Sequence, residues 1–115
     1  MPDVSKSIVL ITGCDTGFGA LSAIELSDSG YRVVAACLTE EGVARLDQKV
    51  TLSIVCDVTK EDDVIKLATA VEKLASDENL NLWAVVNNAG VAPIGYIDWF
   101  SMATIKKIMD VSLVT

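Results

Sequence analysis

Ile8-Val9-Leu10-Ile11-Thr12-Gly13-Cys14-Asp15-Thr16-Gly17-Phe18-Gly19-Ala20-Leu21-Ser22-Ala23-Ile24-Glu25-Leu26 is the stretch whose reading decides the fold. Four apolar residues in succession, three of them Ile or Val, describe a strand buried on both faces. A glycine turn follows. Ala20, Leu21, Ala23, Ile24 and Leu26 then describe a buried helix that stops at Gly30, a residue suited to the position after a helix end. Strand, glycine turn and helix begin a nucleotide-binding βαβ unit. Gly13 lets the chain leave the strand in a conformation that side chains resist. Gly17 removes a Cβ where a pyrophosphate would approach the backbone, and Gly19 lets the helix pack close to the strand. The helix start then offers N–H groups and a positive dipole end to phosphates. The spacing is Thr-Gly-x-x-x-Gly-x-Gly and not G-x-G-x-x-G, and the glycines by themselves also fit a plain helix-initiating turn.

Outward from this unit, strands and helices alternate. The expected strands are Val9 to Thr12, Tyr31 to Cys37, Val50 to Cys56 and Leu82 to Val86. The expected helices run from Gly17 to Ser29, and from Thr39 to Leu46 with Thr39 as its cap. A third has Val64, Leu67, Ala68, Val71, Leu74 and Ala75 at helical spacing to about Ser76, before a polar loop at Asp77-Glu78-Asn79. Thr59-Lys60-Glu61-Asp62 approximates a capping box for that third helix. Residues 88 to 98 read as a loop, and a fourth helix starts near Ser101. Such alternation predicts an α/β fold of Rossmann type: one domain over residues 1–115, three-layer α/β/α, parallel, with strand order 3-2-1-4, ending after the fourth helix. Ligands in these sheets lie at the carboxyl ends, where the order reverses. Thr12 to Gly19 and Asn87 to Gly90 both fall there.

The 115 residues suit a single domain, with 51% apolar and 22% charged residues. A net charge of −7 argues against nucleic acid and against anionic membranes as partners. No run of about 18 apolar residues spans a membrane, and Met1 to Lys6 lacks the pattern of a secretory signal, so a cytoplasmic location is expected, with a mitochondrial one open. Cys14, Cys37 and Cys56 lack C-x-x-C spacing and read as free thiols in a reducing compartment. Each falls near the carboxyl end of a strand. Their position also allows a thiol cluster around zinc, but small buried filler residues are the favoured reading, and no metal site is expected.

Thr12-Gly13-Cys14-Asp15-Thr16-Gly17-Phe18-Gly19, Asp57, and Leu82 to Val91 with Asn87-Asn88-Ala89-Gly90 together resemble the short-chain dehydrogenase/reductase family. With Ala35-Ala36-Cys37-Leu38-Thr39 they are similar to its branch of retinol, 17β-hydroxysteroid and 3-hydroxybutyrate dehydrogenases. The resemblance implies a dinucleotide cofactor and hydride transfer between nicotinamide and a primary or secondary alcohol or its carbonyl. It implies that Asp57 binds the adenine amino group beside Val58, and that Asn87, Asn88, Ala89 and Gly90 bind on the adenine ribose side and support the sheet. Asp57 and Asn87 also fit ordinary strand-end turns.

NAD enzymes present an acid at the end of the second strand and NADP enzymes a nearby arginine. Cys37 and Leu38 offer neither. Thr16 stands where NADP-binding relatives often carry a basic residue, and Asp15 beside it would repel a 2′-phosphate, so NAD is favoured over NADP. The family's serine and its Tyr-x-x-x-Lys are not in these residues: Tyr31 is followed four positions on by Ala35, and Tyr96 by Phe100. Ser112, in Asp110-Val111-Ser112-Leu113, stands at the family's catalytic asparagine; a helix serine also commonly bonds back to its own helix. The chain alone is therefore expected to be inactive. The competing reading is a non-catalytic nucleotide-binding or dimerising protein, and an open fourth-strand edge predicts a homo-oligomer.

Overall fold

The computed structural model describes residues 3–15 and 17–86. A 3₁₀ turn at Val4–Lys6 leads into β1 (Ser7–Ile11). There follow α1 (Gly17–Asp28), β2 (Arg32–Cys37), α2 (Glu40–Leu46), β3 (Leu52–Val55), α3 (Glu61–Glu78) and β4 (Asn81–Val86). The strands form one parallel sheet in the order β3-β2-β1-β4. This is the Rossmann-like α/β architecture, and its order reverses between β1 and β4. The expected fourth helix lies outside the described residues.

β1 is buried along its whole length because it has a strand on each side and helices above and below. Its side chains alternate between two cores. Ile8 and Leu10 join Val34, Ala36 and Cys56 beneath Val64, Leu67 and Val71 of α3. Val9 and Ile11 join Val33, Ala35 and Cys37 beneath Ala23 of α1 and Leu46 just before the chain turns to β3. The helices therefore divide into α1 and α2 on one face and α3 on the other, which is the three-layer arrangement that right-handed crossovers produce.

Three local expectations are corrected. The expected buried α1 is buried only through Gly19 and Ala23, while Leu21 is 61% exposed. Small residues let this helix lie close to the sheet; Ile24 and Leu26 pack, half-buried, against the core, while Leu21 and Phe18 project outward. Thr59 does not cap α3. Lys60 holds the cap position without a side-chain bond, and the Thr59 hydroxyl instead donates to Asp57 Oδ1 at 2.6 Å. Asp77 and Glu78 belong to α3 and not to a loop. The helix ends at Asn79, whose φ of +54° is tolerated by a short amide side chain, with Leu80 N donating to the Ala75 carbonyl at 2.8 Å. The end of α1 is as expected: Tyr31 N reaches the Leu26 carbonyl and Gly30 N that of Ser27, the paired bonds of a glycine-terminated helix. No described helix is long and apolar enough to cross a membrane.

Candidate functional site

The carboxyl edge of the sheet is tied together by main-chain bonds that continue past the strands. Thr12 N donates to the Val86 carbonyl at 3.1 Å and Cys14 N to that of Ala36 at 3.0 Å. Cys56 N donates to the Cys37 carbonyl at 2.8 Å. The β1–α1 turn is thus fastened to β4 on one side and β2 on the other. Within the turn, Gly13 and Gly17 have φ of +67° and +66°, in the region that Cβ-bearing residues avoid. A Cβ built on Gly17 meets no described atom within 4 Å. Among the described residues the space beside the start of α1 is open, as the approach of a phosphate to the backbone requires. Phe18 and Leu38, 81% and 59% exposed, border this region with apolar surface.

Asp15 spans the gap between the β1–α1 turn and the end of β2. Its Oδ1 accepts from Leu38 N at 2.6 Å, and its Oδ2 accepts from Thr39 N at 3.0 Å and from the Thr39 hydroxyl at 2.6 Å. The same Thr39 oxygen accepts from Gly42 N at 3.0 Å, capping α2 as expected. A hydroxyl that donates once and accepts once satisfies both neighbours. Partial burial works to raise the Asp15 pKa, but the Thr39 hydroxyl and the Leu38 and Thr39 N–H groups outweigh it and hold the carboxyl below its ordinary value of 3.8.

Residues 7–115 match the short chain dehydrogenase family. The chain belongs to that family. It is 41% identical to mouse (Mus musculus) short-chain dehydrogenase/reductase family 9C member 7 over 97% of this chain and 36% of the relative. It is also 41% identical to mouse 17-beta-hydroxysteroid dehydrogenase type 6, over 92% of this chain and 34% of the relative. The chain thus spans about a third of the length of these relatives. Among solved structures, the fold resembles 3-ketoacyl-(acyl-carrier-protein) reductase from Brucella melitensis complexed with NADH. The TM-score is 0.67 at 22% identity, covering 90% of this chain and 50% of that one.

In this short-chain dehydrogenase chain, Thr12, Gly13, Cys14, Asp15, Gly17, Phe18, Gly19, Cys37 and Leu38 gather at one end of β1 and β2. Asp57 follows β3 at the same edge and closes its own turn. Its Oδ1 accepts from Thr59 N and the Thr59 hydroxyl, which, with Lys60 nearby, keep its pKa low. Asp57 N in turn donates to Asp63 Oδ2 at 2.9 Å, which anchors the turn to α3. Val58 packs, half-buried, against the α3 core. Thr16, Asn87, Asn88, Ala89, Gly90 and Ser112 lie outside the described residues. Cys14, Cys37 and Cys56 are all buried, and among the described residues no group of acidic, His or Cys side chains is placed to hold a metal ion. Sequence pattern marks Thr39 as a helix cap; its bond to Asp15 and the close approach of Gly42 to that carboxylate emerge in the structure. The spacing Thr-x-x-Gly at the start of α2, opposite an acid in the glycine turn, is the signal that marks both.

Proposed function

We propose that this chain forms the dinucleotide-binding portion of an oxidoreductase that transfers hydride between a nicotinamide cofactor and an alcohol or carbonyl carbon. The observation that carries the reading is the β1–α1 turn: two left-handed glycines at the carboxyl edge, with no described atom where a Cβ of Gly17 would stand. The family membership and the NADH complex of a structural relative support the same cofactor class. NAD is preferred to NADP, since Asp15 places a carboxylate at the end of β2 and neither Cys37 nor Leu38 supplies a positive charge. Asp57 and Val58 face the adenine, and Asn87 to Gly90 the adjoining ribose. When bound, the nicotinamide supplies the hydride acceptor or donor; these residues bind and orient the adenosine half.

Proton transfer to the substrate oxygen belongs to a tyrosine and lysine outside these 115 residues, so the chain alone does not turn over. Ser112 stands in place of the asparagine that orders the proton-relay water. The name of the 17-beta-hydroxysteroid relative favours an apolar alcohol as substrate. Trp83 and Val86 of β4, exposed among the described residues, support self-association of the protein.

Isothermal titration of the chain with NAD and NADP, beside a Gly17→Val variant, tests the reading. Saturable NAD binding that the variant loses is expected, because a branched side chain at φ +66° distorts the turn and fills the phosphate approach. A folded wild-type chain that binds neither nucleotide refutes it. The competing, non-catalytic reading would gain if the whole protein bound cofactor but oxidised no alcohol.

A further inference from the structure

We infer that Asp63 is a positioning residue for the adenine: it holds the main chain of Asp57 and thereby aims the Asp57 carboxylate at the amino group of the ring. The inference rests on the reading above that Asp57 faces the adenine, and adds the residue that fixes it there. The last bond that ties the β3 segment to the sheet runs from Cys56 N to the Cys37 carbonyl, at 2.8 Å. Asp57 N is the next main-chain donor, and a partly buried N–H beyond the sheet needs another acceptor. Asp63 Oδ2, six residues on in α3, supplies it at 2.9 Å. The Asp57 carbonyl accepts from Lys60 N at 2.9 Å. Its Oδ1 accepts from Thr59 N at 2.9 Å and from the Thr59 hydroxyl at 2.6 Å.

The bonds from Lys60 and Thr59 lie within residues 57–60 and would move with that turn as a unit. The bond to Asp63 ties the unit to an 18-residue helix. Position 63 is itself fixed, since Val64 and Leu67 beside it are buried in the core under α3. An acid at the third position of a helix ordinarily reaches back to the N–H of the cap residue. Here that residue is Lys60, whose N–H goes to the Asp57 carbonyl, and Asp63 reaches past it. The bond thus serves the turn and not the helix end. The Thr59 groups keep the Asp57 carboxyl ionised, so that it accepts and does not donate. With both Thr59 bonds on Oδ1, Oδ2 is the oxygen that meets the amino group of the purine. A hydrogen bond of this kind depends on distance and angle, and a turn released from α3 loses both.

The test reads the amino contact by itself. Calorimetric titrations of 5′-AMP and of purine riboside 5′-monophosphate, which lacks the 6-amino group, are made with the wild-type chain, Asp63→Ala and Asp63→Asn. Circular dichroism confirms folding. The wild type is expected to bind 5′-AMP about tenfold more tightly than the analogue. Asp63→Ala should bring that ratio close to one by weakening 5′-AMP alone. Asp63→Asn keeps an oxygen for Asp57 N and should keep most of the ratio. A merely structural loss at the start of α3 would weaken both nucleotides alike and leave the ratio intact. A wild-type ratio that survives in folded Asp63→Ala overturns the inference and leaves Asp57 at the adenine, and so does an Asp63→Asn ratio as low as that of the alanine variant. Should Asp63→Ala not fold, amide hydrogen exchange of the wild type decides: the Asp57 N–H is expected to be protected, and exchange at the rate of a free peptide overturns the inference. A folded wild-type chain that binds the two nucleotides equally, or binds neither, overturns the reading of Asp57 itself and this inference with it, which separates the two failures.

Discussion

A methyl group on Gly42 would stand 2.5 Å from Asp15 Oδ2 and 3.1 Å from Cys37 Cβ, with little freedom to move either. Asp15 is held by three hydrogen bonds, and Cys37 is completely buried. Gly42→Ala is therefore expected to destabilise the fold by about 1–3 kcal/mol through overpacking, although alanine in a helix is intrinsically better than glycine by about 1 kcal/mol. Urea denaturation checks the sign; an unchanged or higher midpoint would show that the contact relaxes freely. Acid stability reads the same carboxylate. Its folded pKa lies below 3.8, so on acidification the unfolded chain takes the proton first. The stability Asp15 contributes is complete above that value and is lost as pH falls through the folded pKa. Asp15→Asn should therefore show a shallower loss of stability below about pH 4 than the wild type. The Asp57 carboxyl, also lowered, keeps the slope from vanishing. Equal slopes in the two proteins would mean that the clasp is not formed in solution.

α3 shows what one helix contributes. Val64, Leu67, Ala68 and Val71 form its buried stripe at spacings of three and four residues. Glu61, Asp62 and Asp63 stand in its first turn, where negative charge offsets the N–H ends of the helix. Leu67 is fully buried against β1 and β2, whereas Ile65 on the other side is 41% exposed. Leu67→Ala is expected to cost about 2–5 kcal/mol, and Ile65→Ala well under half of that. Paired thermal melts of the two variants measure the contrast. Similar losses would indicate that Ile65 is covered in solution by a surface outside the described residues.

At the scale of the molecule, the two cores each carry their own thiol reporters. Cys14 and Cys37 lie in the α1/α2 core and Cys56 in the α3 core. Burial pushes the Cys14 thiol up to about 12, with the neighbouring Cys37 adding to it. Burial likewise pushes Cys37 to about 11, aided by Asp15, and Cys56 to about 11, aided by Asp63 and Asp57. Thiolates are the reactive form, so these groups should be inert near pH 8 in the folded chain and react together on denaturation. Labelling with a chromogenic disulfide reagent, with and without urea, tests this. Rapid labelling of a single cysteine under native conditions would reveal that its face of the sheet opens independently of the other.

Much of this architecture is legible in the sequence because it is encoded in short-range patterns. The run Ile8 to Ile11 is apolar at every position because both faces of a central strand are covered, and the spacing from Val64 to Val71 is the period of a helix on a core. Given those elements, right-handed crossovers leave few sheet orders, and 3-2-1-4 is the one observed. The conformations of Gly13 and Gly17 are likewise local, since a missing side chain marks the backbone that needs it. What tertiary structure alone decided concerns side chains whose partners lie far along the chain or compete with nearer ones. Asp15 bonds to Leu38 and Thr39, 23 and 24 residues away. Thr59 bonds to Asp57 instead of capping α3. Leu21 is left exposed because Gly19 and Ala23 bring α1 down on the sheet. Periodicity reports which face of an element is covered. It carries no record of which oxygen a distant N–H will find once the sheet has brought the two loops together.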